Sequence, residues 1–446
     1  MMAGPITKWQ EDGLFYVVWP AFTHWTQTGD KSLCEGKYLN NMEKAMVWLE
    51  KRAFDKEKGL FGRYFACETP MTGSYDDGWD NATGAPTFKW GSDYEGNTIT
   101  RTYDIYINLL NYSNYVMLSA MQTDKTKAER YYEKATNLEK NIHKFFDYDN
   151  ILPSYGDLLT NKGGLVTAKP YGMDIWDYVW GLSLPPFEAN IPAKYRDLRE
   201  QIRKDMTTTN SGYFLCVYFA LLTSMDTEIH SEDSIMAAMD KLVPVSAKPG
   251  KYLPMPYAMP EMFNVSEDNP YHDIRPLVYS IAPWLSAVTN LGIHRMPFGI
   301  AARGTNYLEK IENYQYKGAN INAVYEGKGV LNTVSLNGKV LAHSLQIPEN
   351  MLKKGDNALI VQLGKDKGPK NLLIASTVQL NAIATANGKV VYKITSYGKN
   401  VLTFKGLNKS VAVADANGNK VKATAIEMDN LTYIEFEGRG EFNVEL

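Results

Sequence analysis

Apolar positions recur along the chain with two different periods, and the change falls near residue 300. Between Lys37 and Phe54 the residues Leu39, Met42, Met46 and Leu49 step by threes and fours, which places them on one helical face. Lys125 to Phe146 repeats the pattern through Ala128, Tyr131, Ala135, Leu138, Ile142 and Phe145. Such spacing predicts nine helical stretches, near 14–28, 37–53, 102–122, 125–146, 173–182, 193–206, 212–225, 231–242 and 275–292. Long polar connections rich in Gly and aromatic residues separate some of them, chiefly 55–100, 147–172 and 244–274. Connections of that length in a compact domain are usually functional or disordered, and their Trp and Tyr content argues for order.

From about residue 312 the pattern changes to short runs rich in Val, Ile, Thr and Leu, separated by Asn337-Gly338, Asn387-Gly388 and Asn417-Gly418. Asn-Gly supplies the two positive-φ residues of a type I′ turn, so each pair predicts a β-hairpin. The expected architecture is therefore mainly α: a helical toroid with an open end over 1–305, then an all-β sandwich over 312–446. Active sites favour loops held on such a rigid scaffold.

Composition sharpens this division. All nine Trp lie between Trp9 and Trp284, and eighteen of the twenty Pro precede residue 300. The chain has 446 residues, 44% of them hydrophobic, and balances 47 basic against 50 acidic side chains for a net charge of −3. That composition excludes disorder and collagen-like repetition, and the near-neutral balance gives no footprint for nucleic acid. Cys34, Cys67 and Cys216 are widely spaced and odd in number, which predicts buried apolar residues and not disulfides or paired metal ligands. No run approaches the ~20 apolar residues needed to span a bilayer. Met1 to Trp9 lacks the apolar core of a signal peptide, so no membrane partner and no export signal are expected in this chain.

The densest group of candidate chemistry is Glu68-Thr69-Pro70 followed by Gly73-Ser74-Tyr75-Asp76-Asp77-Gly78-Trp79-Asp80-Asn81, with Gly84 and Pro86 closing it. Aromatic faces pack on the C–H-rich faces of sugar rings, while carboxylates and amides bind hydroxyls. The mixture suits a carbohydrate cleft. The bland alternative is that Asp76, Asp77 and Asn81 form Asx-turns in a surface loop, or bind a cation; the spacing does not match an EF-hand loop.

The run Asp77-Gly78-Trp79-Asp80-Asn81 resembles the Gly-Trp-Asp segment of trehalase and the Gly-x-Asp-Asn segment of the processing α-glucosidases, both six-hairpin glycosidases with an (α/α)6 barrel. The stretch Asp104-Ile105-Tyr106-Ile107-Asn108 resembles the Asp-Leu-Asn-type helix start that follows in the same families. The segment from Arg275 to Pro297, with the β-region after it, is similar to an uncharacterised glycosidase-like family in which such a barrel carries a C-terminal sandwich. The resemblance implies that Asp80 is the general acid, with Trp79 and Asn81 beside it in the sugar subsite. A complete (α/α)6 barrel has twelve helices, commonly after an N-terminal β-domain. The nine stretches here therefore imply a barrel entered part-way, and a periplasmic or extracellular site if the chain derives from a longer exported parent.

Glycoside hydrolysis needs a second carboxyl group across the scissile bond. The superfamily places its base late in the barrel, where this chain reads Met255 to Asn264 and on to Asp273. Glu261 is the leading candidate because it stands among apolar and aromatic residues, where a carboxylate is rare unless it works or is paired; Glu267, Asp268 and Asp273 are alternatives. Tyr75, Asp77, Trp79, Asn81, Asp104, Trp176, His272 and Arg275 complete the expected substrate-binding set. Against these stand ordinary structural roles: helix packing for Trp176, and a satisfied hydrogen-bonding group for His272 beside Asp273 and Arg275. No His spacing suits zinc, no Gly-x-Ser-x-Gly elbow is present, and no metal or cofactor is expected. The expected function is an inverting glycoside hydrolase acting on an oligosaccharide or polysaccharide. The alternatives are a carbohydrate-binding protein without chemistry, or a polysaccharide lyase, which would favour basic residues around a uronate.

Overall fold

The computed structural model describes residues 15–62, 79–80, 85–86, 102–103, 105–145, 157–160, 165–167, 213–214, 236, 262–263, 270–271, 291–296, 298–365, 368–386, 388–428 and 431–446. The chain divides into two compact units, Met1–Trp25 with Asp30–Leu182, and Thr26–Gly29 with Ser183–Leu446.

Among the described residues there are four α-helices, α1 (Phe15–Thr28), α2 (Gly36–Ala53), α3 (Ile105–Met121) and α4 (Lys125–Phe145). Each matches a helix predicted from spacing. The stripe of α4 is buried at Ala128, Tyr131, Ala135, Leu138 and Ile142, and that of α2 at Met42, Met46 and Leu49. Asp124 starts α4 as an N-cap, its Oδ1 accepting the backbone N–H groups of Thr126 (2.9 Å) and Lys127 (3.2 Å). α3 is buried continuously from Leu110 to Met121, the mark of a helix enclosed on every side. Ser119 ties it to α4 by donating to the Ala128 carbonyl at 2.7 Å.

Short strands fill what the spacing left as connections. β1 (Phe54–Asp55) and β2 (Leu60–Phe61) form a hairpin directly after α2. Its turn needs Gly59, which sits at φ 66° and whose missing Cβ would lie 2.2 Å from Asn141 Nδ2. β3 (Trp79–Asp80) pairs with β4 (Ala85–Pro86), and β5 (Thr102–Tyr103), β6 (Asp157–Thr160) and β7 (Leu165–Thr167) form a small antiparallel sheet.

In the second unit β8 (Tyr213–Phe214), β9 (Met262–Phe263) and β10 (Pro270–Tyr271) make a three-stranded sheet with β9 central. Another contains β11 (Ile293–Met296), β12 (Gly299–Ala302) and, on its far edge, β17 (Gln346–Pro348). The five-stranded sheet has the order β13 (Lys310–Tyr316), β14 (Ala319–Glu326), β18 (Gly355–Gly364), β15 (Val330–Leu336) and β16 (Lys339–Val340), with β14 and β18 parallel. The last sheet is built on β21 (Lys389–Lys405) and β25 (Leu431–Glu445). β19 (Leu372–Ser376) and β20 (Gln379–Ala386) share the free edge of β21. β22 (Ala412–Asp415) and β24 (Ala423–Met428) share that of β25, and β23 (Lys420–Val421) pairs with β22.

The mainly α architecture, an (α/α)6 toroid followed by a sandwich, is therefore corrected. Strands dominate the described residues, and the C-terminal region is a curled β-sheet half-barrel. Helical periodicity is a local property: it says that a helix buries one face, not that its partner is another helix of a ring. The predicted helix 212–225 carries strand β8 at Tyr213–Phe214, a short apolar and aromatic run of the kind that periodicity does not assign to helix or strand. The helices expected at 173–182 and 193–206 lie outside the described residues, as does 231–242 apart from Met236. Of 275–292 only the last two residues are described, in a bend.

His294 on β11 is buried, with no hydrogen-bond partner for Nδ1 among the described residues. Burial, and secondarily the charge of Arg303, holds its pKa well below the ordinary 6.5. The unfolded chain accepts a proton there as the pH falls below 6.5, whereas the folded chain refuses it. Stability from this group is present above that pH and lost as the pH falls towards the folded value. The wild-type melting temperature is expected to drop between about pH 7.5 and about pH 5.5, and to drop less in His294→Gln, as followed by circular dichroism.

Candidate functional site

The carboxylate- and aromatic-rich run belongs to the first unit, between Phe61 and Thr102, and side chains of its helices and strands hold both ends of this connection. At the start, Asn108 on α3 clamps one peptide group. Its Oδ1 accepts the Phe61 N–H at 2.8 Å and its Nδ2 donates to the Phe61 carbonyl at 2.9 Å. Gly62 N donates to the Ala53 carbonyl at 2.9 Å, closing the hairpin back onto the end of α2. At the far end, Tyr103 is 1% exposed and its hydroxyl donates to Asp55 Oδ2 at 2.5 Å. Asp55 Oδ1 accepts the N–H groups of Glu57 and Lys58, so this carboxylate is already fixed by the β1–β2 turn. Both ends of the connection thus attach to the same four-strand-residue hairpin, the arrangement of a long loop with close ends. Pairing of Thr102 with Thr160 and Tyr103 with Leu159 brings the second long connection, 147–172, to the same place.

Within the run, Trp79 and Asp80 form β3, opposite Pro86 and Ala85. Of the other expected site residues, Glu261, Tyr75, Asp77, Asn81, Asp104, Trp176, His272 and Arg275 lie outside the described residues. Strand β9 begins at the residue after Glu261, and β10 ends at the residue before His272.

The supporting helices carry an electrostatic layer of their own. Glu50 on α2 accepts from the Tyr115 hydroxyl at 2.9 Å and pairs with Lys134 Nζ at 2.6 Å. Glu43, about two turns earlier, pairs with Lys127 at 3.2 Å and accepts from Gln122. Burial pushes the Tyr131 phenol up to about 12, with the charge of Glu43 adding to it, and drives Tyr115 above the ordinary phenol range, with Glu50 adding to it. These phenols stay protonated donors throughout the working range, which suits struts and not proton transfer. Among the described residues no group of three His, Cys, Asp or Glu could hold a metal ion, and no helix is long and apolar enough to cross a membrane.

No protein-family model matches the sequence, and no curated protein matches it. Among the solved structures that align with it are a sialidase, at 14% identity and a TM-score of 0.45, over 71% of this chain and 30% of that one, and an α-L-rhamnosidase from Dictyoglumus thermophilum, at 11% identity and a TM-score of 0.32, over 96% of this chain and 39% of that one. Neither likeness establishes a shared fold. The chain spans between a third and two fifths of the rhamnosidase and under a third of the sialidase.

Sequence reasoning took Asn108 as part of a helix-start landmark and missed what it does. The signal was present: Asn108, Asn111 and Asn114 recur every third position in an otherwise apolar helix and are all at most 1% exposed. A buried amide is expected to meet other polar groups, and Asn108 does so at Phe61. Asn108→Ala leaves the N–H and carbonyl of Phe61 without these partners in a buried setting, and the expected destabilisation is about 2–4 kcal/mol. Chemical denaturation of the full chain measures it, and faster proteolysis between residues 62 and 101 should accompany it.

Proposed function

We propose that the chain is a glycoside hydrolase acting on an oligosaccharide or polysaccharide, with Asp80 as general acid and Glu261 as general base. The observation that carries this reading is the run Asp77-Gly78-Trp79-Asp80-Asn81, which puts a carboxyl group between an indole and an amide and beside a further acid. Support comes from the anchoring of that connection at Phe61 and Tyr103, since a reacting carboxyl group needs a scaffold that does not yield.

In the proposed reaction protonated Asp80 donates to the glycosidic oxygen as the bond to the anomeric carbon lengthens. Ionised Glu261 removes a proton from water attacking the opposite face of the ring, which inverts the anomeric centre and calls for carboxyl groups roughly 6.5–9.5 Å apart. Asp80 must then hold its proton near neutral pH, which requires burial or the nearby negative charge of Asp76 or Asp77. Trp79 and Tyr75 supply faces for the sugar ring. Asp77, Asn81, Asp104, Trp176, His272 and Arg275 supply the remaining contacts with its hydroxyls and edges. No cofactor is needed for this chemistry.

Replacing Asp80 by Asn removes the transferable proton while preserving shape. Turnover of a panel of aryl glycosides and natural oligosaccharides should fall on the order of 10²–10⁴-fold, with sugar affinity in calorimetry nearly unchanged. Glu261→Gln should do the same. Sugar binding by a wild type that releases no product would point to a binding protein without chemistry, and a product absorbing as an unsaturated uronate would point to a lyase.

A further inference from the structure

The Asn-Gly pairs bring a chemical hazard as well as a turn. The backbone nitrogen of the glycine can attack Cγ of the preceding asparagine: a bond forms between that nitrogen and Cγ, the bond from Cγ to Nδ2 breaks, and ammonia leaves. The five-membered imide then takes up water at either carbonyl, giving aspartate or isoaspartate. The net change is one water consumed and one ammonia released. Glycine favours the attack because no Cβ shields its nitrogen.

Two of the pairs differ in how the asparagine side chain is held. Asn337 and Gly338, at φ 50° and 78°, form the two-residue turn between β15 and β16, with Leu336 paired to Lys339. The Asn337 side chain is fastened at both ends. Its Oδ1 accepts the Ala358 N–H at 3.0 Å and its Nδ2 donates to Asn357 Oδ1 at 3.0 Å. Asn357 is itself 1% exposed and held by Lys353 and Gly355. Swinging Cγ of Asn337 towards the Gly338 nitrogen would break both side-chain bonds.

Asn417 and Gly418 lie in the exposed loop between β22 and β23. The Asn417 side chain makes no hydrogen bond among the described residues; only its backbone N–H is engaged, by Asp415 Oδ1 at 2.9 Å. A Cβ built on Gly418 or on Gly338 would meet nothing within 4 Å among the described residues, so the two sites differ in what holds the asparagine side chain and not in the space beside the glycine. The Gly418 N–H donates to the Asp415 carbonyl at 3.0 Å, the one bond that must open before attack.

We propose that Asn417 is a site of spontaneous deamidation in the folded protein, and that Asn337 is protected by its side-chain bonds. The product carries consequences for the loop. Asp415 already gathers the N–H groups of Asn417 and Asn419 and the Asn419 side-chain amide on its carboxylate. A new carboxylate two residues away repels it, and the isoaspartyl form lengthens the backbone inside the same turn. The modified protein should therefore hold β22 and β23 less firmly than the fresh protein.

Full-length protein held at mildly alkaline pH and 37 °C, then digested and mapped by mass spectrometry, tests this, with isoaspartyl methyltransferase labelling to detect the rearranged product. Asn417 should convert at least about tenfold faster than Asn337, because two side-chain hydrogen bonds must open before Asn337 can react. Unfolding in denaturant should erase the difference, Asn357→Ala should speed conversion of Asn337, and Asn417→Ser should abolish the signal at its position. Equal rates at both sites in the folded chain would overturn the proposal. So would an intact Asn417 in folded protein under conditions in which the unfolded chain reacts at both.

Discussion

The second unit depends on one antiparallel ladder, in which fifteen residues of β21, Val391 to Lys405, pair without a break with β25 from Glu445 to Leu431. Every other strand of that sheet attaches, directly or through β22, to one of these two. The alternation of side chains along the ladder serves two cores at once. Val401, Leu431 and Tyr433 pack with residues of the five-stranded sheet, including Ile321, Leu359 and Val361. Leu402, Phe404, Ile434 and Phe436 face a second cluster with Tyr392, Phe442 and Val444. A shift of pairing by one residue would exchange the two sets, so the register is fixed from both faces. Midway, Gly398 lies opposite Gly438, and the buried Ser396 and Asn400 bond to each other and to the backbone there, including the carbonyls of Gly398 and Gly438. Paired glycines and backbone-directed side chains at one level let the ladder bend, which is how two strands this long can belong to a curled sheet.

The first unit rests on a different device. α3 is enclosed, yet it carries Asn108, Asn111 and Asn114 in a row. Asn108 is repaid with two bonds to Phe61, and Asn111 with one to the Ile107 carbonyl. Because an amide both donates and accepts, a single buried side chain can complete both halves of one peptide group where a chain leaves regular structure. A hydrophobic residue of similar volume would fill the space but leave that peptide group uncompensated.

Much of this was legible locally. Spacing located α1 to α4 within three residues at each end, and the Asn-Gly rule fixed the turn at Asn337-Gly338. The rule held less well at Asn417-Gly418, where only the glycine has positive φ and Asp415 organises a longer loop through its carboxylate. There a neighbouring side chain outcompeted the dipeptide preference, as short polar side chains do. What spacing could not convey was partnership. Two-residue strands such as β5 and β9 have no period to read, and their pairing with residues some fifty positions away is set by tertiary contacts. The toroid expectation failed for that reason: it extended a correct local assignment of four helices to an assembly that local periodicity does not encode.

The candidate site follows the same division between local and distant information. A carboxyl group next to an indole and an amide is a local fact, readable at Trp79, Asp80 and Asn81 without any fold. The second carboxyl group required by a displacement at an anomeric carbon is a distant fact, because the geometry of attack demands that it come from the other side of the ring. No residue adjacent in sequence to Asp80 can meet that demand, since neighbours on a strand such as β3 lie a few ångströms apart, less than the span of a sugar with its attacking water. The proposal therefore asks of the residues next to Asp80 only stacking surface and hydroxyl contacts. In the proposed reaction Asp76 and Asp77 bear on the proton of Asp80, and the base is sought in a connection far along the chain.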